Sequence, residues 1–316
     1  MKNILYIITP LRFSQYFTDF IIHKQGLGFT VNTCMVENIG NGTFSDIKAF
    51  LDKESEKIQD DYYVILGGDG NLVPGKSVPR IEIRFKDSEY ACNDNGEYWR
   101  SVGRLPASNE QEIKDMCDCA INYETHFVSF RKSVLMIAAT NKNIKESESI
   151  AKSMHPIIQD INEQYTTTIG KSEILDSLKA NIESFINYMG HGGSDKWTLH
   201  YKGKFLENIL SDSIPLMEYK PVHILSWACS TANIAHQKCM GKTFLLNGAV
   251  SFWGAYSETY GKSNRMMARC FWDNYMKDTC PEHIGEIYLA IQKIYNNKTK
   301  GGPKYMLLGD PTLKIR

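Results

Sequence analysis

Residues 222–230 read Val-His-Ile-Leu-Ser-Trp-Ala-Cys-Ser, an apolar run that ends among small side chains around Cys229. Such a run, bounded by small residues, is typical of a strand that is buried on both faces of a parallel sheet. Residues 185–193, Phe-Ile-Asn-Tyr-Met-Gly-His-Gly-Gly, repeat the pattern and place His191 between two glycines. Because sites in open α/β sheets form at the carboxyl ends of strands, Cys229 and His191 are candidate site residues.

The rest of the chain alternates between apolar runs and amphipathic stretches, which predicts an α/β fold with a mostly parallel sheet and helices on both faces. The pattern restarts at residues 133–139, so we predict a smaller N-terminal α/β subdomain (1–130) and a second subdomain (131–316), divided at about residues 124–132. Strands are predicted at 3–8, 29–36, 62–66, 81–85, 99–102, 133–139, 185–189, 222–227 and 249–253. Helices are predicted at 11–24, at 45–57 with Ser45 as N-cap, at 108–123, and after each of the last three strands.

Composition narrows the class of protein. The 316 residues are 42% apolar and 11% aromatic, which argues for a globular chain. Lys plus Arg and Asp plus Glu both total 36, so no basic excess indicates a nucleic-acid or membrane-surface partner. The eight cysteines, in a chain without a recognisable export signal, are expected to be reduced, which predicts a cytoplasmic location.

The two candidate residues suit one kind of chemistry. If their strands are parallel and adjacent, His191 and Cys229 meet at one edge of the sheet. A thiol is a weak nucleophile until it loses its proton; a nearby histidine can take that proton and later return one to a leaving amine. The main-chain N–H groups of Gly192 and Cys229 are candidates for holding the oxyanion.

The residues around His191 and Cys229 resemble the sequence motifs of a known family. Residues 188–197, Tyr-Met-Gly-His-Gly-Gly-Ser-Asp-Lys-Trp, resemble the histidine motif of gingipain-type peptidases, and Ser-Trp-Ala-Cys-Ser resembles their nucleophile motif. The resemblance implies a caspase-like three-layer αβα sandwich, a Cys229/His191 dyad and endopeptidase action on a polypeptide substrate. It covers nearly the whole chain through further motifs at 65–69, 102–106, 247–254 and 308–313.

The resemblance also suggests substrate contacts. Members that cleave after basic residues carry an acid on the helix after the 102–106 motif, where Glu110 and Glu112 both lie. Trp253, within the 247–254 motif, is a third candidate substrate contact. The resemblance implies no required cofactor, no metal in the catalytic site, and calcium as a structural ion.

One departure from the family affects catalysis. The acid that orients the histidine in the family aligns with Trp99, and Glu97 is near but out of register. The third catalytic residue therefore stays open. The departure also keeps an alternative in view, a catalytically degenerate scaffold that binds peptides or protein partners. A second hypothesis is a latent protease that a regulatory protein partner, a ligand or self-cleavage activates.

Three other signals compete. Residues 70–77 formally match a phosphate-binding loop, but Pro79 and the strand-like residues after it argue against the required helix. The pairs His236/Cys239 and Cys117/Cys119 lack the further ligands of a zinc site. Cys239 is a rival nucleophile, because it precedes a helical stretch whose dipole can lower a thiol pKa.

Overall fold

The computed structural model describes residues 3–58, 62–78, 84–93, 95–126, 133–158, 160–180, 182–217, 221–296 and 304–315. The strands are β1 (Asn3–Thr9), β2 (Phe29–Met35), β3 (Tyr62–Gly67), β4 (Lys76–Val78), β5 (Arg84–Lys86), β6 (Ser101–Leu105), β7 (Ser133–Ala138), β8 (Asp160–Tyr165), β9 (Phe185–Met189), β10 (His191–Gly193), β11 (Lys196–Tyr201), β12 (Lys204–Leu210), β13 (Val222–Trp227), β14 (Ala249–Ala255) and β15 (Tyr305–Gly309). The α-helices are α1 (Thr18–Gly26), α2 (Phe44–Ser55), α3 (Glu110–His126), α4 (Asn141–Met154), α5 (Lys171–Ala180), α6 (Met240–Leu246), α7 (Gly261–Tyr275) and α8 (Ile284–Asn296).

Ten strands form one sheet in the order β2-β1-β3-β6-β15-β14-β13-β9-β7-β8. The strands β2, β1, β3 and β6 are mutually parallel, and so are β14, β13, β9, β7 and β8. Strand β15 lies between these two groups and is antiparallel to β14. The predicted mostly parallel sheet is therefore confirmed.

Helices cover both faces of this sheet. On β14, Phe252 packs on Phe244 of α6, with ring centroids 5.6 Å apart. Its neighbour Trp253 points the other way, 5.4 Å from Phe271 of α7 and 4.9 Å from Tyr288 of α8. Because successive strand residues face opposite sides, this alternation makes the molecule a three-layer α/β/α sandwich, as expected.

The two predicted subdomains share the one sheet. Arg104 of β6 pairs with Leu308 of β15. Asp310, two residues after Leu308, binds the buried ammonium of Lys24 at 2.6 Å, and Glu124 binds the same ammonium at 2.7 Å. The proposed boundary takes in the end of α3, and its residues 127–132 lie outside the described residues. The division stays a prediction.

Arg104 of the 102–106 motif has a structural place. Its guanidinium donates to both oxygens of Asp87, at 2.6 and 2.8 Å, and to the carbonyls of Gly68 and Val73. Because the Arg104 side chain is fully buried, these bonds fix the loop after β3 rather than reach a ligand.

The structure corrects several local predictions. Helix α2 is capped by Thr43, which forms a capping box with Asp46, and not by Ser45. Residues 11–24 form a 3₁₀ turn (Leu11–Phe17) that leads into α1. The stretch after β9 is not helical: β10, β11 and β12 make a small antiparallel sheet.

The reason for that small sheet is local. Residues 196–201 alternate between half-buried and buried side chains, the period of a strand. Lys202 and Gly203 then both have positive φ, 48° and 78°, the requirement of a tight hairpin turn.

The phosphate-loop alternative has no support. Lys76 begins strand β4, which pairs antiparallel with β5, where the motif would need a helix. Of the predicted strand at 81–85, residues 81–83 lie outside the described residues, as does Pro79. None of the described helices is long and apolar enough to cross a membrane.

We predict a pH-dependent contribution to stability from His223. Its buried ring lies between the hydroxyls of Ser251 (2.7 Å) and Tyr123 (2.9 Å), and burial lowers the pKa of His223 to about 3. In the unfolded chain this pKa is about 6.5, so between pH 6.5 and 3 only the unfolded chain binds the proton. His223 should therefore lower the free energy of unfolding by roughly 1.4 kcal/mol per pH unit as the pH falls below about 6.5.

Urea unfolding at pH 7.5, 6, 5 and 4 measures this slope. In His223→Gln the slope should flatten by about one proton, whatever the variant's overall stability. The exposed His155 supplies the control, and His155→Gln should keep the parent slope. Equal slopes in the parent and His223→Gln would contradict the assignment.

Candidate active site

The register between β9 and β13 brings the two candidate residues together. The strands are parallel, and the last pair in register is Met189 with Trp227. His191 and Cys229 each lie two residues beyond that pair. Neighbouring strands are about 4.8 Å apart, so both residues leave the sheet side by side at the same edge.

Side chains connect the β10–β11 hairpin, which carries His191, to strand β13, which leads to Cys229. The Tyr188 hydroxyl lies 2.8 Å from the His191 carbonyl and 3.0 Å from the Thr198 carbonyl. The Tyr188 ring stacks on Trp197 at 4.2 Å, and the Trp197 indole donates to Ser226 Oγ at 3.0 Å. The position of His191 is thus tied to the strand that carries Cys229.

Cys229 lies in a tight turn after β13. Ser230 has a φ of +57°, a conformation that non-glycine residues rarely adopt, and its N–H donates to the Ser257 carbonyl at 3.0 Å. The Cys229 sulfur accepts the Thr259 N–H at 3.3 Å and lies 3.4 Å from the Thr259 carbonyl. The main chain of Thr259 therefore fixes the position of the Cys229 sulfur.

His191 has an unusual neighbour. The rings of His191 and His200 meet edge to face with centroids 4.8 Å apart. Burial, and then the electrostatic interaction with His200, lower the pKa of His191 below its ordinary value. At neutral pH His191 is therefore an uncharged imidazole, the form that can accept a proton.

Gly192 lies against the turn that carries Cys229. A Cβ atom at this position would come within 2.9 Å of Ala228 Cβ and of Thr231 Cγ2, and within 3.1 Å of the Cys229 carbonyl oxygen. Only glycine allows this approach of the two main chains. The assignment of the Gly192 and Cys229 N–H groups as oxyanion donors stays a prediction.

His191 and Cys229 line one cavity of about 550 Å³. Its other walls come from the exits of β7 and β14 and from the β11–β12 turn: Thr140, Asn141, Lys142, Asn143, Gly190, Gly203, Thr259, Gly261, Lys262, Asn264 and Arg265. Thr140 has a φ of +104°, and such strain is retained mainly at functional sites. Among the described residues, no hydrogen bond joins the two candidate groups to each other.

The rule that sites form at the carboxyl ends of strands also applies to β7 and β14, because these strands end at the same edge. It points to the segments 140–143 and 259–265, which contribute to the cavity walls. Tyr260 follows Thr259, whose N–H contacts the Cys229 sulfur, and its side chain is 76% exposed, which is unusual for a large aromatic residue.

The rival nucleophile Cys239 is buried. Its exposure is 1%, and burial raises its pKa to about 11. It does not line the cavity with His191. Cys229, which is partly exposed inside the cavity, is the better candidate.

The structure does not bring the predicted substrate contacts to this cavity. Trp253 is fully buried between α7 and α8, because both faces of β14 are covered by helices. Glu110 lies 3.9 Å from Arg12, and Glu112 lies 2.8 Å from Lys242. None of these three residues lines the cavity.

Neither Glu97 nor Trp99, the positions considered for a third catalytic residue, lines the cavity with His191. Glu97 binds the side chain of Asn93 within a local turn. The guanidinium carbon of Arg100 lies over the Trp99 ring, 5.3 Å from the ring centroid. Within the described ranges no carboxylate hydrogen-bonds to His191, and the ring found beside it is that of His200.

The described residues do not suggest a metal centre. No three or more His, Cys, Asp or Glu side chains converge among them in a way that could hold an ion. We therefore assign no ligands to calcium, which stays a prediction from resemblance.

Comparison with known proteins supports one family. The model of Peptidase family C25 matches residues 2–316. The solved complex of the Porphyromonas gingivalis RgpB pro- and mature domains superposes with a TM-score of 0.85 at 18% identity, covering 99% of this chain and 79% of that one. The Arg-specific cysteine proteinase gingipain R gives 0.81 at 17% identity, covering 100% and 78%.

A more distant fold neighbour is separase in the Saccharomyces cerevisiae separase–securin complex. Its TM-score is 0.50 at 12% identity, over 85% of this chain and 17% of that one. No curated protein sequence matches. At these identities the solved structures show the fold alone, whereas the family model covers essentially the whole chain: the protein belongs to peptidase family C25 and is a gingipain-like cysteine peptidase.

Proposed function

We propose that the protein is an endopeptidase in which Cys229 is the nucleophile and His191 the general base and acid. The observation that carries the proposal is their common cavity, reached from two strands in register. A scissile peptide lying in this cavity would have the thiol and the imidazole beside it.

The reaction follows from the charge states of the two groups. Neutral His191 takes the thiol proton, and the Thr259 N–H stabilises the resulting thiolate. The thiolate sulfur attacks the scissile carbonyl carbon, and imidazolium returns the proton to the departing amine. Water, deprotonated by His191, then hydrolyses the thioester.

The same proposal includes latency. Cys229 lies within hydrogen-bonding distance of the Thr259 carbonyl, which accepts only from a protonated thiol. RgpB has been solved as a complex with its pro-domain, which makes a regulatory protein partner a reasonable hypothesis here. Comparing intact mass before and after incubation tests self-cleavage, one of the possible triggers.

The location is part of the proposal as well. All eight cysteines lie among the described residues and all are free thiols. This supports a reducing, cytoplasmic environment. Cell fractionation followed by immunoblotting tests the location.

A peptidyl acyloxymethyl ketone, which alkylates active cysteines, tests the dyad. We expect the label on Cys229, since burial raises the pKa of other thiols: to about 11 for Cys34 and Cys239 and to about 12 for Cys119. His191→Ala should slow labelling by about 100-fold or more, the usual contribution of a general base.

Mass spectrometry locates and quantifies the label, and Cys239→Ser is the control that should keep the parent rate. Equal labelling of folded His191→Ala and parent would remove His191 from the mechanism. Folded protein that neither labels nor cleaves, even after a search for activating partners, would favour the peptide-binding scaffold.

Tyr188 should act as a positioning residue for His191. Tyr188→Phe keeps the stack on Trp197 but leaves the carbonyls of His191 and Thr198 without this donor. Without this donor the main chain of His191 is held less firmly, and because misplacement of a reacting group is costly, kcat/KM should fall about tenfold. Peptide cleavage measures the change.

The effect should appear mainly in kcat, because the cavity walls stay in place. Tyr165→Phe, at the edge strand β8, is the matched control and should keep the parent kcat. Loss of thermal stability in Tyr188→Phe with unchanged kcat would show a structural role only.

A further inference from the structure

The cavity that holds the dyad is positively charged. Three of its lining side chains are cations, Lys142, Lys262 and Arg265, and none of its lining residues is Asp or Glu. Lys142 and Lys262 are exposed, and Arg265 is half-buried. Among the described residues, none of the three forms an ion pair.

The contrast with the next helical turn shows that this is a local feature. Arg269, one turn further along α7, pairs with Glu146 of α4 at 2.9 Å. At the cavity end of the same two helices, Arg265 meets the side-chain oxygen of Asn143 at 3.3 Å. An amide oxygen carries no net charge, so the charge of Arg265 is left uncompensated where it faces the cavity.

The helix termini add to the positive potential. Helices α4 and α7 both begin at the cavity, and neither has an acidic residue in its first turn. The N-terminal end of a helix carries a partial positive charge, which acidic residues commonly offset. Three cations and two such ends together disfavour a cationic ligand and favour an anionic one.

From this arrangement we propose that the protein cleaves peptides that carry an acidic side chain, Asp or Glu, next to the scissile bond. The inference rests on the proposed endopeptidase function and names its substrate class. It reverses the expectation of basic residues that Glu110 and Glu112 had suggested, because both lie away from this cavity and are already near cations. Arg265 and Lys262 would bind the substrate carboxylate through charge-assisted hydrogen bonds.

Matched fluorogenic peptides test the proposal with the full chain. The peptides carry acetyl and amide caps and differ only at the residue before or after the scissile bond: Glu or Gln, Asp or Asn, Lys or Arg. We expect kcat/KM to be about tenfold higher or more for the acidic member of the Glu/Gln and Asp/Asn pairs, the effect of a hydrogen bond to a charged group. This preference should shrink as salt rises from about 0.05 to 0.5 M, where charges are screened.

Variants then assign the preference to the cavity. Arg265→Gln and Lys262→Gln should each lower the Glu-to-Gln ratio severalfold, and Lys262→Glu should improve cleavage of the Lys peptide. Lys277→Gln, just beyond the opposite end of α7, is the matched control and should keep the parent ratio. The same peptides without caps provide a further check. If only the uncapped peptides are preferred, the cavity binds the carboxylate of a chain terminus, and the assignment to an acidic side chain is overturned.

Binding to Cys229→Ala separates this inference from the dyad itself. Calorimetry with the same capped peptides should show tighter binding of the acidic member even though no bond is cleaved. Preferred acidic binding without any cleavage by the parent would support the cavity's preference for acidic side chains and refute the endopeptidase proposal. Equal binding of acidic and neutral peptides, or better cleavage of Lys and Arg peptides, would overturn the inference.

Discussion

The in-register pairing of β9 with β13 is the constraint on which the site depends. Because side chains alternate along a strand, a slip of one residue would send the two reactive groups to opposite faces. Asn187 holds the register from inside the core, since its side-chain oxygen accepts the indole N–H groups of both Trp227 (2.8 Å) and Trp272 (2.9 Å). Both bonds are buried, where an unpaired indole would be costly. The position of the catalytic edge is therefore set by polar contacts beneath it.

The main features of the fold were predictable because they depend on burial. Strands β9 and β13 are buried on both faces, and continuous apolar runs of this length have few other interpretations. The same fact explains why Trp253 lies in the core: in a sheet covered on both sides, a strand residue is buried whichever way it points. Only residues beyond the strand ends can meet a substrate.

Other parts of the site depend on contacts between distant segments, which local patterns do not contain. Glu112 forms an ion pair with Lys242, which lies 130 positions further along the chain. The sequence around Glu112 does not contain this partner, so the pairing could not be predicted from it. His200 reaches His191 because β11 turns back and pairs with β10, which places Thr198 opposite His191. A periodicity analysis that assigned this stretch to a helix could not have found the contact.

The charges near His191 affect both proton transfer and the choice of substrate. A carboxylate beside a catalytic histidine normally stabilises the imidazolium that forms during reaction. Here the ring beside His191 is that of His200, with the two ring centroids 4.8 Å apart. Imidazolium at His191 is correspondingly disfavoured, as its lowered pKa indicates. An acidic substrate held by Arg265 would carry a negative charge into the same cavity and offset part of that cost. Substrate charge would then lower the barrier to proton transfer as well as the dissociation constant, so selectivity should appear in kcat and not only in KM.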